Sequence, residues 1–516
     1  MQLDYEKYFK NKNITKQGFG YLGRGANVVK FLIETGANVL VTDMKSESEL
    51  EKSLQELEDF VRIKYFSNLD ENNSYLNRKE LFENFLDESG NRRIVLRLGE
   101  HRKEDFINCD YVIQASGVPK NNEYLLFAKE NNKKVYQEGS LFCEIIREYN
   151  NTHLAKENIK VIGVTGTRGK TTTTFLIKNI IEEYLISENE NNKTLKKVYF
   201  GGNIQNIATL ENLKNIKAGD TIVMELDSWV LQGFNDINYS PQIAVFTTFM
   251  SDHMNYYKGS MNDYFEDKAA IFLNQKEGDV FIATDKIYEE IEKCLSQNQV
   301  NNFKQLPSKK IVIGEKEVEE CAQEFKSLLL GDHNKVNLAL AVRAVREYGA
   351  DSAIIQKTLN TFTGVPGRLE LVKVLGGVSY YNDSTSTTPD ALLAALKSFK
   401  KDQIILICGG RDKELEITKL VTEIIEHKNK NLIKSIIILD NDTTNGSQKM
   451  IRMFNDRNFT HYITASSLEL AVKEATEIAY NSGIILFSPG FASFGMFLNE
   501  YDRGEKFIEI LNSQAK

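Results

Sequence analysis

Short apolar runs alternate with amphipathic stretches along most of this chain, and turn residues separate them. Apolar runs at 39–41, 110–114, 159–162, 223–226 and 245–250 predict strands, and a second series at 378–382, 403–408, 434–439 and 483–487 predicts more. Helical spacing fills the gaps between them, as at 26–33, from Phe175 onward, and in the Ala- and Leu-rich stretch after Gly331. Strands alternating with helices predict α/β folding around parallel sheets. Residues 46–105 are charged and irregular, and predict an enlarged loop or peripheral helices. Polar stretches at 188–193 and 287–308 predict surface insertions. No repeat of solenoid period is present.

Two glycine-rich turns punctuate the pattern. The sharper one reads Gly163-Val164-Thr165-Gly166-Thr167-Arg168-Gly169-Lys170-Thr171-Thr172. It follows a predicted strand and precedes a predicted helix, the context of a phosphate-binding loop. Backbone N–H groups and the positive end of the helix dipole would face an anion there. Gly166 and Gly169 permit positive φ and close backbone approach. Lys170 can neutralise β- and γ-phosphates, and the Thr171 hydroxyl can hold Mg²⁺. The usual pattern has glycine where this chain has Val164, so the loop is a shorter variant. The other turn carries Gly18, Gly20 and Gly23, with Asp43 at the end of the next strand, the arrangement of a dinucleotide-binding turn and its ribose partner. The strand before it, Ile14-Thr15-Lys16-Gln17, is short and polar, which makes this second signal weak on its own.

Length and charge narrow the options. At 516 residues the chain exceeds one hydrophobic core, and about three domains are expected. The net charge of −8, without any basic block, argues against nucleic acid as a partner. No apolar run reaches membrane-spanning length, and the first residues lack signal-peptide character. The five cysteines are scattered and form no Cys-x-x-Cys pair, so neither a disulfide framework nor a zinc site is predicted.

Three further segments carry candidate chemistry. Glu225 ends a predicted strand, where a carboxylate often holds Mg²⁺ beside a nucleotide. Asp252 and His253 follow the strand at 245–250, and Lys268 lies in the helical stretch after them. Asn334 and Asn337, at i and i+3, share a helix face and can read the donor and acceptor edges of adenine.

Taken together and in this order, the segments resemble the Mur ligase family over nearly the whole chain. The fragment Thr165-Gly166-Thr167-Arg168-Gly169-Lys170-Thr171-Thr172 is similar to its ATP loop. Gly201-Gly202-Asn203 is similar to its GGN segment, and His333-Asn334-Lys335-Val336-Asn337 to its adenine motif. Gly367-Arg368-Leu369-Glu370 is similar to its hinge. Within the family, Asn382-Asp383-Ser384, Gly409-Gly410-Arg411-Asp412-Lys413, Ser488-Pro489-Gly490-Phe491-Ala492-Ser493-Phe494 and Arg503-Gly504 resemble the members that add D-glutamate to UDP-N-acetylmuramoyl-L-alanine.

The resemblance implies three domains: a Rossmann-like UDP-sugar-binding domain (1–156), a central P-loop ATPase domain (157–364) and a C-terminal amino-acid-binding α/β domain with a mostly parallel sheet (365–516). It implies ATP and Mg²⁺ as cofactors and an acyl-phosphate intermediate in peptidoglycan precursor synthesis. Lys170, His253 and Lys268 are the implied catalytic residues, with Lys268 carbamylated. Gly166, Thr167, Gly169, Lys170, Thr171, Thr172, Asn334, Asn337, Arg368 and Asp383 are implied for ATP. Thr171, Glu225, His253 and Lys268 are implied for the metal. Gly18, Gly20, Gly23, Asp43, Ser116, Gly117 and Asn203 are implied for the sugar nucleotide, with Asn203 also helping to place ATP. Lys413, Ser493 and Phe494 are implied for the amino acid. The expected molecule is a cytoplasmic monomer acting on small molecules, with no nucleic acid and no membrane as partners.

Departures from the family pattern keep alternatives open. Thr385 stands where the family carries lysine after Asp383-Ser384, and Arg411 is the candidate to replace that charge. The segment Glu225-Leu226-Asp227-Ser228-Trp229 departs from the usual ELSSF. L-Glutamate or another amino acid therefore remains an alternative substrate. An NAD-dependent oxidoreductase would use Gly18, Gly20, Gly23 and Asp43 but leaves 160–340 without a purpose. A non-catalytic nucleotide-binding protein would have no need of Lys170, Glu225, His253 and Lys268 together.

Overall fold

A computed structural model describes residues 3–20, 24–66, 76–192, 195–204, 207–399 and 403–513. Gly23 of the first glycine turn and Lys193 of the first polar stretch lie outside them. Among the described residues three sheets form. The first contains β1 (Asn13–Gln17), β2 (Asn38–Asp43), β3 (Ile94–Leu98), β4 (Tyr111–Gln114) and β5 (Lys134–Gln137), in the order β3-β2-β1-β4-β5. Every pairing in it is parallel.

The second sheet contains β6 (Lys160–Thr165), β7 (Val198–Gly202), β8 (Thr221–Glu225), β9 (Ile243–Phe246), β10 (Val280–Thr284) and β11 (Lys309–Ile313). Its order is β11-β10-β9-β6-β8-β7, again parallel throughout. The third contains β12 (Glu370–Leu375), β13 (Val378–Asn382), β14 (Ile404–Cys408), β15 (Ile433–Leu439), β16 (Ile463–Ala465) and β17 (Gly483–Phe487), in the order β12-β13-β17-β14-β15-β16. Only β12 with β13 is antiparallel there. The fold is α/β, with two parallel sheets and one mixed sheet.

The chain divides into two compact units, Met1–Val318 with Asn337–Ile355, and Glu319–Val336 with Gln356–Lys516. Within the first unit one continuous core runs from Leu3 to Phe303 and serves both of its sheets. Within the second unit, separate clusters cover the two faces of the third sheet. One contains Leu392, Leu406 and Ile424, the other Ile407, Val472 and Phe507.

The polar strand β1 is buried in the middle of its sheet, with Thr15, Lys16 and Gln17 all at most 3% exposed. Its polar donors find acceptors. The Thr15 hydroxyl donates to Asp105 O, the Gln17 amide donates to Asn122 Oδ1 at 3.2 Å, and the Lys16 ammonium donates to Gly18 O at 2.8 Å.

Three sequence expectations need correction. Residues 46–105 are no mere loop or periphery, because they supply β3, which pairs with β2, and the helix Glu51–Val61, whose Leu54, Leu57 and Val61 enter the core. The stretch 287–308 is not a surface insertion. Helices Asp285–Cys294 and Gln297–Gln305 bury Ile287, Ile291, Val300 and Phe303, and the Phe303 ring lies 5.0 Å from that of Phe272. Their apolar residues recur at i, i+4 and i, i+3, the spacing of a helix face. The 188–192 stretch is the end of the long helix Lys170–Asn192.

Candidate active site

The phosphate loop is built at the centre of the second sheet. β6 lies between β8 and β9, and the register pairs Val164 with Glu225 and Thr165 with Phe246. Glu225 and the segment after Phe246 therefore flank the loop where the chain leaves the sheet. The loop glycines are sterically necessary. Gly166 has φ +141°, and a Cβ there would lie 2.1 Å from Thr247 Oγ1. Gly169 has φ +85°, and its Cβ would lie 2.3 Å from Asn337 Oδ1. Hydrogen bonds pin the loop to the segment after β9. Thr167 N–H donates to Thr248 O at 2.7 Å, Arg168 N–H to Thr248 Oγ1 at 2.9 Å, and Thr248 Oγ1 to Arg168 O at 3.0 Å. The helix Lys170–Asn192 starts at once, with Thr171 and Thr172 in its first turn.

Two ammonium groups converge on this loop. Lys170 Nζ donates to the carbonyl oxygens of Gly166 and Thr167, both at 3.1 Å. Lys268 Nζ donates to Gly166 O at 2.9 Å from the helix Met261–Ala269. Lys268 is 1% exposed. Burial first, and the positive charge of Lys170 second, push the Lys268 ammonium down to about 7, against the pull of Asp227, Asp252 and Asp267.

The remaining candidates of the first unit surround the loop. Glu225 is buried at the end of β8. The Gly201-Gly202-Asn203 turn closes on it: Asn203 N–H donates to Glu225 O at 2.7 Å, and a Cβ on Gly202 would lie 2.0 Å from that oxygen. His253 adopts φ +56° and sets its ring 4.5 Å from that of Trp229. Asn337 abuts Gly169, as its clash with a Cβ there shows. Among the described residues, no cluster of three or more His, Cys, Asp or Glu side chains is suited to a metal. A divalent ion here would take single ligands from separate strands plus phosphate oxygens, the habit of Mg²⁺. Glu225, His253 and Thr171 suit it. Lys268 does so only as an anion, because an ammonium would repel the ion.

A cavity of about 410 Å³ opens beside β1 and β4, where the strand order of the first sheet reverses. Ligands of open parallel sheets bind at such a point. Gly18, Gly20, Asp43, Ser116 and Gly117 line it, joined by Lys16. Asp43 also shapes its rim, since the carboxylate accepts from Phe19 N–H at 2.7 Å and Lys45 N–H at 3.0 Å. Asn203 does not line this cavity; it follows β7 directly and lies beside Glu225.

In the second unit Asn334 donates to Leu330 O at 2.7 Å, and Arg368 is exposed. Asp383 is buried, accepts from Leu369 N–H at 3.1 Å and from Ser488 Oγ at 2.6 Å, and burial raises its carboxyl to about 7. Lys413 donates to Thr387 Oγ1 at 3.0 Å. Ser493 is buried and its hydroxyl has no hydrogen-bond partner among the described residues, whereas Phe494 is exposed. Arg411 is exposed while its backbone pairs with Ala492. Thr385 donates its hydroxyl to Gly367 O at 2.8 Å.

Sequence reasoning did not single out Thr387 or the ties of Arg503. Arg503 is 1% exposed and donates to Ser384 O at 2.6 Å and Phe491 O at 3.1 Å. An arginine among the apolar positions of the last helix was the signal for it.

Comparison with known proteins agrees with this arrangement. Residues 164–345 match the Mur ligase middle domain, and 367–491 match the Mur ligase glutamate ligase domain. The UDP-N-acetylmuramoylalanine–D-glutamate ligase of Roseiflexus sp. is 31% identical, covering 97% of this chain and 98% of that protein. Its namesake from Borreliella burgdorferi is 30% identical, with 98% of each covered. In fold the chain is similar to the UDP-N-acetylmuramate-alanine ligase of Thermotoga maritima, with TM-score 0.50 and 15% identity over 98% of this chain and 100% of that one. The chain belongs to the Mur ligase family.

Proposed function

We propose that this enzyme joins the amino group of D-glutamate to the carboxylate of UDP-N-acetylmuramoyl-L-alanine, converting ATP to ADP and phosphate. The full-length likeness to relatives bearing that name supports the substrate assignment. The observation that carries the chemistry is the meeting of Lys170 and Lys268 on the Gly166 carbonyl of a strand–loop–helix phosphate site.

A carboxylate is a poor electrophile. Transfer of the γ-phosphoryl group to it makes an acyl phosphate, the glutamate amine adds to the carbonyl carbon, and phosphate leaves from the tetrahedral intermediate. Positioning and charge neutralisation supply the rate. Lys170, with the loop amides of Gly166 and Gly169, holds the transferring phosphoryl group. Thr171, Glu225, His253 and carbamylated Lys268 would hold Mg²⁺, which neutralises phosphate charge when bound. With its pKa near 7, the Lys268 amine is substantially neutral at physiological pH. It can add to CO₂, losing a proton and becoming a carbamate anion.

Thr172, Asn203, Asn334, Asn337, Arg368 and Asp383 place ATP. Gly18, Gly20, Gly23, Asp43, Ser116 and Gly117 take the UDP end of the sugar nucleotide. Lys413, Ser493 and Phe494 receive glutamate, with Thr387 at the Lys413 ammonium. The enzyme works in the cytoplasm as a monomer acting on small molecules. No helix among the described residues is long and apolar enough to cross a membrane.

The test is phosphate release with ATP, Mg²⁺ and UDP-N-acetylmuramoyl-L-alanine across a panel of amino acid enantiomers. Release with D-glutamate alone is expected. A preference for L-glutamate would move the assignment to the reading that Thr385 favours, since that side chain is spent on Gly367 O. No amino acid dependence would reject ligation altogether.

A further inference from the structure

We propose that Asp267 is a positioning residue that couples the cavity of the first sheet to Lys268. The inference rests on the function proposed above. Asp267 directly precedes Lys268 and is 2% exposed. Its carboxylate accepts three hydrogen bonds from three separate elements. Lys120 Nζ donates to Oδ1 at 2.9 Å, Gln232 Nε2 to Oδ2 at 2.7 Å, and Tyr257 OH to Oδ2 at 3.0 Å. A buried carboxylate with so many fixed donors holds its neighbours in register, because each lost donor leaves charge unpaired.

Two of those donors belong to elements that wall the cavity. Lys120 lies just past Ala115, Ser116, Gly117 and Val118, which line it, in a turn closed by Asn122 N–H donating to Pro119 O at 2.9 Å. Gln232 rides on the helix Ser228–Asp236, whose Val230 also lines the cavity. Both walls therefore end on the residue beside Lys268. Gln232 also donates to Tyr256 OH at 3.2 Å, and Tyr256 N–H donates to His253 O at 2.9 Å. A sugar nucleotide seated in the cavity presses on the same knot that fixes Lys268 and His253. The charge arrangement fits as well. A carbamate on Lys268 adds an anion next to Asp267, and the Lys120 ammonium offsets it.

Lys120 is exposed along its side chain, so its replacement leaves the core intact. The experiment uses the full chain with Lys120→Met and Lys120→Arg. Trp229 is the sole tryptophan, and its ring lies 4.5 Å from His253, so its emission reports on that side of the site. In the wild type, UDP-N-acetylmuramoyl-L-alanine should change Trp229 emission.

In Lys120→Met, kcat should fall roughly ten-fold or more through misplacement. The KM for ATP should stay within about two-fold of the wild type, since the loop contacts to nucleotide are untouched. The emission change should vanish although calorimetry still shows the sugar nucleotide bound, and Lys120→Arg should restore most of both. Wild-type kcat and a wild-type emission change in Lys120→Met would overturn the coupling. A lower melting temperature with unchanged kcat per folded molecule would likewise reduce the pair to a structural contact. Wild-type protein that releases no phosphate with D-glutamate and this sugar nucleotide would instead refute the proposed function.

Discussion

Two lysines share the carbonyl oxygen of Gly166, and their closeness sets the character of one of them. Lys268 is buried, and the charge of Lys170 adds to the cost of protonating it, so its ammonium gives up a proton near 7. A lysine whose folded pKa lies below its unfolded value binds fewer protons when folded. The penalty is full below pH 7 and fades as pH rises toward 10.5, so the unmodified protein gains stability from this group across that window. Carbamylation needs the neutral amine. In CO₂-depleted protein, recovery of activity at a fixed concentration of dissolved CO₂ should therefore quicken as pH rises from about 6 to about 8 around that pKa. Lys268→Ala should be inactive and regain activity with a short-chain carboxylic acid. Recovery that ignores pH, or a Lys268→Ala variant with wild-type activity, would remove the carbamate from the mechanism.

At the scale of elements, the strand–loop–helix unit depends on glycines for two separable reasons. Gly169 combines positive φ with an approach so close that a Cβ would reach 2.3 Å from Asn337 Oδ1. Gly90 has a similar φ of +83°, with nothing within 4 Å. Alanine at either position carries backbone strain of roughly 1–2 kcal/mol. Only at Gly169 must the Asn337 side chain also give way. Gly169→Ala should raise the KM for ATP at least ten-fold, by the scale at which small misplacements act, while Gly90→Ala should change stability alone. Steady-state kinetics with melting curves for both variants checks this, and equal ATP kinetics would show that the close approach to Asn337 has no functional weight.

For the whole molecule, the question is which ligand the first sheet accepts. Its glycine turn and Asp43 are compatible with NAD as well as with a sugar nucleotide. The shared core with the second sheet ties that cavity to the phosphate site. Saturating UDP-N-acetylmuramoyl-L-alanine should raise the melting temperature by roughly 2–4 °C, from about 2.7 kcal/mol of linkage at a hundred times Kd. NAD should leave it unchanged. A shift with NAD alone would return the oxidoreductase reading to consideration.

Much of this organisation was legible in the sequence because its causes are local. The period of apolar residues fixes whether a segment becomes strand or helix, and Gly166, Gly169, Lys170 and Thr171 announce a phosphate loop within a few positions. The apolar faces of the helices at 285–305 were equally legible, as was the Ser296 and Gln299 capping box, but their polar composition hid them. β3 was hidden too, because it is an edge strand whose residues are mostly half-buried. Only tertiary structure decided the rest. Lys268 reaches Gly166 across 102 residues, and Lys120 reaches Asp267 across 147. Three successive polar residues in β1 are buried because that strand occupies the centre of its sheet. Such contacts follow from strand order and the packing of distant segments, and no local pattern of apolar and polar residues encodes which distant partner a buried charge will meet.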